Sequence, residues 1–176
     1  MRPPGKKRAY AQAQADIESV VNSLATANGF ALTSRNPNYG KGSSITWSRA
    51  LSWRSDALRL LFRWYGRTGY RGIYADLSSS IVLPERSFLV DGYPTAWIAR
   101  KSSDDLRINE SDDHAPSRVS DTLRSDIVAS MNWLDRTYAT PEAALMRLTS
   151  QDRNGVGVAT PAHNAVVAHL ENLRLL

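Results

Sequence analysis

The sequence predicts an α+β domain: an N-terminal helix, an antiparallel β-meander of four to five strands, and C-terminal helices packed on one face of the sheet. Three observations lead there. Apolar residues recur at helical spacing near both ends of the chain. They recur at period two through the middle, with aromatic enrichment. Helix-then-strands-then-helices is the order of an antiparallel sheet covered on one side. The 176 residues, 42% of them hydrophobic and 22% charged, suffice for one buried core. Residues 1–8 read as a basic flexible tail and residues 9–176 as a single domain.

The first helix is expected over Ala9–Asn28, where Ala13, Ile17, Val20 and Leu24 form one apolar stripe. Asn28-Gly29 ends it, because both residues tolerate a left-handed cap. Phe30-Ala31-Leu32 opens an extended segment, and residues 36–43, rich in Asn, Pro and Gly, read as a loop. In residues 44–53 the apolar Ile45, Trp47, Leu51 and Trp53 fall on odd positions, with Arg49 the exception. In residues 57–65, Leu58, Leu60, Phe62 and Trp64 point one way, and Arg59, Leu61, Arg63 and Tyr65 the other. Gly66 to Gly69 supplies a turn, and residues 70–77 and 79–83 continue the meander. Residues 87–98 read as a hairpin or a loop with one further strand. The polar, acidic residues 101–116 read as a surface loop.

Val119, Leu123, Ile127, Met131 and Leu134 then mark a long helix with Ser117 as its N-cap. Thr140-Pro141-Glu142 starts a short helix to about Leu148, with proline in the first helical position. Asn154 to Gly157 reads as a turn, and Thr160-Pro161 begins a terminal helix striped by Val166, Val167, Leu170 and Leu173.

The run Asp126 to Leu145 resembles the closing part of a bacterial family known as domain of unknown function 4304. The resemblance lies in a first helix ending in Gly29-Phe30, a meander of strands, and a helix closing on Trp133-Leu134. It extends to the short helix at Thr140-Pro141-Glu142-Ala143. It spans about residues 9–148 and rests on structural signals. It implies the same α+β fold and is compatible with an immunity-like role. The family has no established activity, so no catalytic residue carries over.

Composition narrows the function. The absence of cysteine excludes disulfides, thiolate metal sites and a thiol nucleophile. No segment approaches the roughly 18 consecutive apolar residues of a membrane helix, and no signal-peptide pattern appears. A cytoplasmic protein is expected. Gly40-Lys41-Gly42-Ser43 lacks the spacing of a phosphate loop. His163 and His169 stand six apart, on different faces of a helix, where zinc pairs prefer four. Asp112-Asp113-His114, with Glu110 nearby, has no regular ligand spacing and reads as a solvated acidic loop. No Gly-x-Ser-x-Gly elbow is present. No catalytic residue, cofactor or metal is therefore assigned.

The distinctive feature is the arginine-rich run. The net charge is +5, and 18 of the 22 basic residues are arginine. Arg49, Arg54, Arg59, Arg63, Arg67 and Arg71 accompany one acid, Asp56, and several aromatics including Tyr65. These arginines with Tyr65 are the expected partner-binding residues. The expected function is a non-catalytic interaction module whose arginine-bearing sheet face meets an acidic protein partner, because arginine and aromatic side chains dominate interface hot spots. A nucleic-acid-binding domain is the alternative, since the same residue types neutralise phosphates and stack on bases. A metal- or carboxylate-dependent enzyme around Asp112–His114 is the third class. The blandest reading makes the aromatics core and the arginines a solvated outer surface. A further possibility follows from Asp104, Asp105, Glu110, Asp112, Asp113, Asp121 and Asp126: an acidic segment folded back over the arginines neutralises the patch.

Overall fold

The computed structural model describes residues 6–39, 42–64, 70–102, 104, 106–109, 115–149 and 160–175. Eleven elements follow one another: α1 (Lys6–Ala27), β1 (Ala31–Tyr39), β2 (Gly42–Ala50), β3 (Arg54–Trp64), β4 (Tyr70–Val82), β5 (Ser87–Pro94), α2 (Thr95–Arg100), β6 (Leu106–Asn109), α3 (Ala115–Thr137), α4 (Pro141–Thr149) and α5 (Thr160–Arg174). The α+β class and the antiparallel meander are as expected from sequence. The sheet has six strands rather than four to five, in the order β1-β2-β3-β4-β5, with β6 also paired to β4.

Two extended segments account for most of the difference. Residues 36–39 continue β1, because Tyr39 pairs with Gly42. Pro37 is tolerated there because β1 is an edge strand, and the register shifts between Asn36 and Tyr39. Gly42 must be glycine: a Cβ would meet the Phe62 carbonyl oxygen at 1.8 Å. The second segment is β6, inside the expected acidic loop, where Ile73 pairs with Leu106 and Gly72 with Arg107. β5 pairs with the C-terminal part of β4 and β6 with its N-terminal part, so both share one edge of that strand. α2 bridges the interval between them. The Thr95 hydroxyl donates to the Ala75 carbonyl at 3.2 Å across that gap.

Local chemistry sets the helix ends. Gly29, at φ 78°, closes α1; its N–H reaches the Thr26 carbonyl at 3.1 Å and the Phe30 N–H reaches the Ala25 carbonyl at 2.9 Å. Thr140 caps α4, its Oγ1 accepting from the Ala143 N–H at 3.1 Å. α3 begins at Ala115, so Ser117 sits inside its first turn and not at its N-cap. α1 begins at Lys6, three residues before the expected start.

One core lies between the sheet and the helices. Ile17, Val21 and Ala25 of α1 and Leu123, Ile127, Met131 and Leu134 of α3 bury against Trp47, Leu58, Leu60, Phe62, Ile73 and Leu77. Complete burial of each such large side chain contributes roughly 1.5–3 kcal/mol. The Trp47 indole donates to the Asn22 Oδ1 of α1 at 2.9 Å, fixing that face of β2 toward the helices. Strand alternation then assigns Leu58, Leu60 and Phe62 to the covered face and Ala57, Arg59, Leu61 and Arg63 to the other. Among the described residues, no helix is long and apolar enough to cross a membrane.

The two faces predict opposite responses to truncation. Leu58→Ala, at a fully buried position, is expected to cost about 2–5 kcal/mol. Leu89→Ala, at a position 44% exposed, is expected to cost under about 0.5 kcal/mol. Urea unfolding of the two variants measures the difference; similar losses would put Leu89 in the core.

Candidate interaction face and the buried charge network

The structure divides the arginine-rich run between the two faces of the sheet. Arg49 is directly opposite Asp56 in the β2–β3 ladder, and both point toward the helices. The Arg49 Nε donates to Asp56 Oδ2 at 2.8 Å, and its terminal nitrogens donate to Asp135 on α3. Arg54, only 3% exposed, donates from Nη2 to Asp135 Oδ1 at 2.8 Å and from Nη1 to the Tyr138 carbonyl. Ser79 donates to the second oxygen of Asp56 at 2.8 Å. Two guanidiniums thus meet two carboxylates, of which Asp56 is fully buried and Asp135 partly open to solvent. The carboxylates come from β3 and the end of α3, not from the acidic segment after residue 101. Burial lowers the Arg49 pKa, and the hydrogen bonds to Asp135 and Asp56 more than reverse this.

A second buried cluster adjoins the first, because Ser79 pairs with Asp91 across β4 and β5. The Tyr138 hydroxyl donates to Asp91, as does Arg147 Nε at 3.3 Å. Arg147 Nη2 also donates to the Tyr93 hydroxyl at 3.4 Å. Burial pushes both phenols above their ordinary pKa, and the Asp91 charge pushes them further, so both remain protonated donors. Arg100 clamps Asp126 from α2 to α3 with contacts of 2.9–3.1 Å. These groups join elements; their polar atoms face one another.

Arg59 and Arg63 lie on the face away from the helices. There a groove of about 490 Å³ opens among Thr46, Arg59, Tyr74, Asp76, Leu89 and Pro94. Its floor is the cross-strand row Ala57, Ser78 and Gly92, three small residues in register on β3, β4 and β5. Arg59 stands opposite Asp76, and its Nε and Nη2 both reach Asp76 Oδ2, at 3.1 and 2.6 Å. Burial raises the Asp76 pKa above the usual carboxylate value, although Arg59 pulls the other way. The Arg63 guanidinium lies 4.8 Å from the centre of the Tyr74 ring. Gly72 separates Arg63 on β3 from the exposed Arg107 on β6 in one cross-strand row. Between Arg59 and Arg63 on the same face, Leu61 and its cross-strand partner Ser44 are buried.

Of the residues expected at an interaction site, Arg59 and Arg63 therefore come together, while Arg49 and Arg54 belong to the interior network. Tyr65 and Arg67 lie outside the described residues. So does the side chain of Arg71, whose backbone pairs with Ile108. The Asp112–His114 segment lies outside them too. Asp76, Leu89, Gly92 and Arg107 were not anticipated. The alternation Leu106-Arg107-Ile108-Asn109 carried the signal for Arg107, within acidic surroundings that read as loop. Among the described residues, no group of three or more His, Asp or Glu is placed to hold a metal ion. No family model, curated protein or solved structure matches the chain.

Two carboxylates predict opposite stability effects. Asp56→Asn leaves the desolvated Arg54 and Arg49 short of an anion and is expected to cost about 3–5 kcal/mol. Asp76 binds its proton more tightly folded than unfolded, so its ionisation opposes folding as pH rises through the folded value. Asp76→Asn is thus expected to be at least as stable as the wild type at neutral pH, with any advantage shrinking as the pH falls into the carboxylate range. Thermal melts across pH check the sign; a loss for Asp76→Asn that grows with pH would contradict it.

Proposed function

We propose that the protein is a non-catalytic interaction module that binds an acidic segment of a protein partner in the groove on the sheet face away from the core helices. The observation that carries this reading is the charge of that face. Among the described strand residues directed to it, the charged ones are Arg59, Arg63 and Arg107 against Asp76 alone. The net charge of +5 acts in the same direction by drawing anionic surfaces toward the molecule. Arginine suits the task, since its planar fork matches a carboxylate. The groove falls within the roughly 300–1,000 Å³ typical of binding sites, large enough for several side chains of a docked segment.

Binding to single-stranded nucleic acid needs a series of open aromatic faces along a basic track. The described part of this face offers Tyr74, whose ring already carries Arg63. That favours a carboxylate-bearing partner over stacked bases.

A labelled poly-glutamate peptide tests the proposal. The wild type is expected to bind it, with affinity falling as salt screens the exposed arginines. Arg59→Glu combined with Arg63→Glu is expected to weaken binding by at least ~10-fold, about 1.4 kcal/mol, while leaving the circular dichroism spectrum unchanged. Gly92→Val places a branched side chain in the groove, where a Cβ would lie an ordinary 3.5 Å from that of Ser78, and is expected to weaken binding without unfolding. Unchanged binding in both variants would remove the groove from the interaction. Preference for oligo-dT over the peptide would transfer the face to nucleic acid.

A further inference from the structure

We propose that the groove seats one large apolar side chain of the partner, between Leu89 and the open surface of Gly92, so that the segment it recognises is an acidic stretch carrying a single hydrophobic anchor. This rests on the interaction reading above for the acidic character and adds the contact that singles out one acidic segment from another. Leu89 reaches the groove by an irregularity in β5. Ser79 pairs with Asp91 but Ser80 pairs with Leu89, so Val90 is an extra residue in the ladder. In an unbroken strand Leu89 and Gly92, three positions apart, would lie on opposite faces, with Leu89 directed to the core. The bulge puts both on the groove face, and bulges beside functional sites re-aim side chains in this way. Val90 remains 4% exposed, whereas Leu89 is left 44% exposed and lines the groove.

Gly92 points the same way. Its φ lies outside the left-handed region, and a Cβ there would meet only the Ser78 Cβ at 3.5 Å and the Leu89 Cδ1 at 3.9 Å, both ordinary contacts. Gly42 is the contrast, since the Phe62 carbonyl leaves it no room for a side chain. Neither backbone nor packing therefore demands glycine at position 92. Glycine weakens the interior of a strand, and often marks a place where a ligand approaches closely. With no side chain at Gly92, the Leu89 methyl groups border an open apolar site, and Pro94 follows on the same face. An apolar residue seated in a pocket inside a polar rim is the usual form of an interface hot spot. The net charge of +5 favours acidic residues on either side of that anchor. Burial of the anchor then supplies affinity, while the flanking charges steer the approach.

Two labelled poly-glutamate peptides, identical except for a leucine at the centre of one, test the anchor by fluorescence anisotropy. The wild type is expected to bind the leucine peptide at least ~10-fold more tightly than the plain one. Leu89→Ala, at its exposed position, is expected to remove most of that gain and to leave the affinity for the plain peptide unchanged. Gly92→Ala is expected to melt no lower than the wild type and yet to bind the leucine peptide less tightly. If the wild type binds both peptides equally, or if the gain survives Leu89→Ala, the anchor is overturned while the interaction reading stands. A Gly92→Ala variant that melts well below the wild type would return this glycine to the fold and also count against the anchor. If a peptide with the leucine set among serines binds as well as the one set among glutamates, the apolar site stands and the acidic reading falls. If neither glutamate peptide binds, both fall together.

Discussion

Asp56 accepts hydrogen bonds from Arg49 and Ser79 and stands beside Arg54, while Arg49 and Arg54 both continue to Asp135 on α3. Arg54 and Asp56 are almost fully buried, and charges so placed are tolerable only when paired, since one left alone carries a desolvation cost of several kcal/mol. The set therefore constrains geometry. A one-residue slip between β2 and β3 would send Arg49 and Asp56 to opposite faces and break the pair. A displaced α3 would leave both guanidiniums with Asp56 alone to share. The Arg49 guanidinium also covers the Phe30 ring at 4.7 Å, which extends the constraint to the exit of α1. The last carbonyls of α3 carry partial negative charge, and Arg54 meets one of them at Tyr138. Sheet register, the first helix and the third helix are thus fixed at one place.

From that place the cluster of Tyr138, Asp91 and Arg147 continues the network into β5 and α4. The helices are thereby committed to one side of the sheet. The other side is left to residues whose character is set by the strand period alone. Where Ala57, Ser78 and Gly92 fall in register, their small side chains leave a trough, and Arg59 with Tyr74 and Leu89 make its walls. The groove is thus a consequence of register, which the buried charges help to hold.

Much of this was legible in the sequence. The helical stripe of α3 and the alternation of Leu58, Leu60 and Phe62 against Arg59 and Arg63 are local patterns that survive into the fold, and so are Ala13 and Ile17 of α1, although Val21 and Ala25 rather than Val20 and Leu24 complete that buried stripe. The cap at Gly29 and the start at Thr140-Pro141 are equally local. What escaped depends on partners distant in the chain. Arg49 and Arg54 look like their neighbours in a basic run, and nothing nearby indicates that Asp135 will reach them. Period two does place Arg54 and Asp56 with Leu58 on the covered face, and Arg49 with Trp47. The alternation thus sets Arg49 and Arg54 among core residues, against the usual preference of arginine for water. β6 escaped because it is short and its strand character comes from pairing with Tyr70–Ile73 rather than from its composition.

The chain therefore uses one side-chain type in two physical settings. Arg54 is sealed from solvent, with Asp56 and Asp135 around it and its Nε without a hydrogen-bond partner; its position is dictated from several sides at once. Arg59 is half open and anchored at Asp76. A guanidinium of the first kind cannot leave its partners without exposing an uncompensated charge to the core. One of the second kind keeps part of its surface toward the groove while paired to Asp76. Net charge and arginine count are blind to this distinction. The side of the sheet on which each residue falls decides whether an arginine is enclosed with the helices, as Arg54 is, or stands at the groove, as Arg59 does.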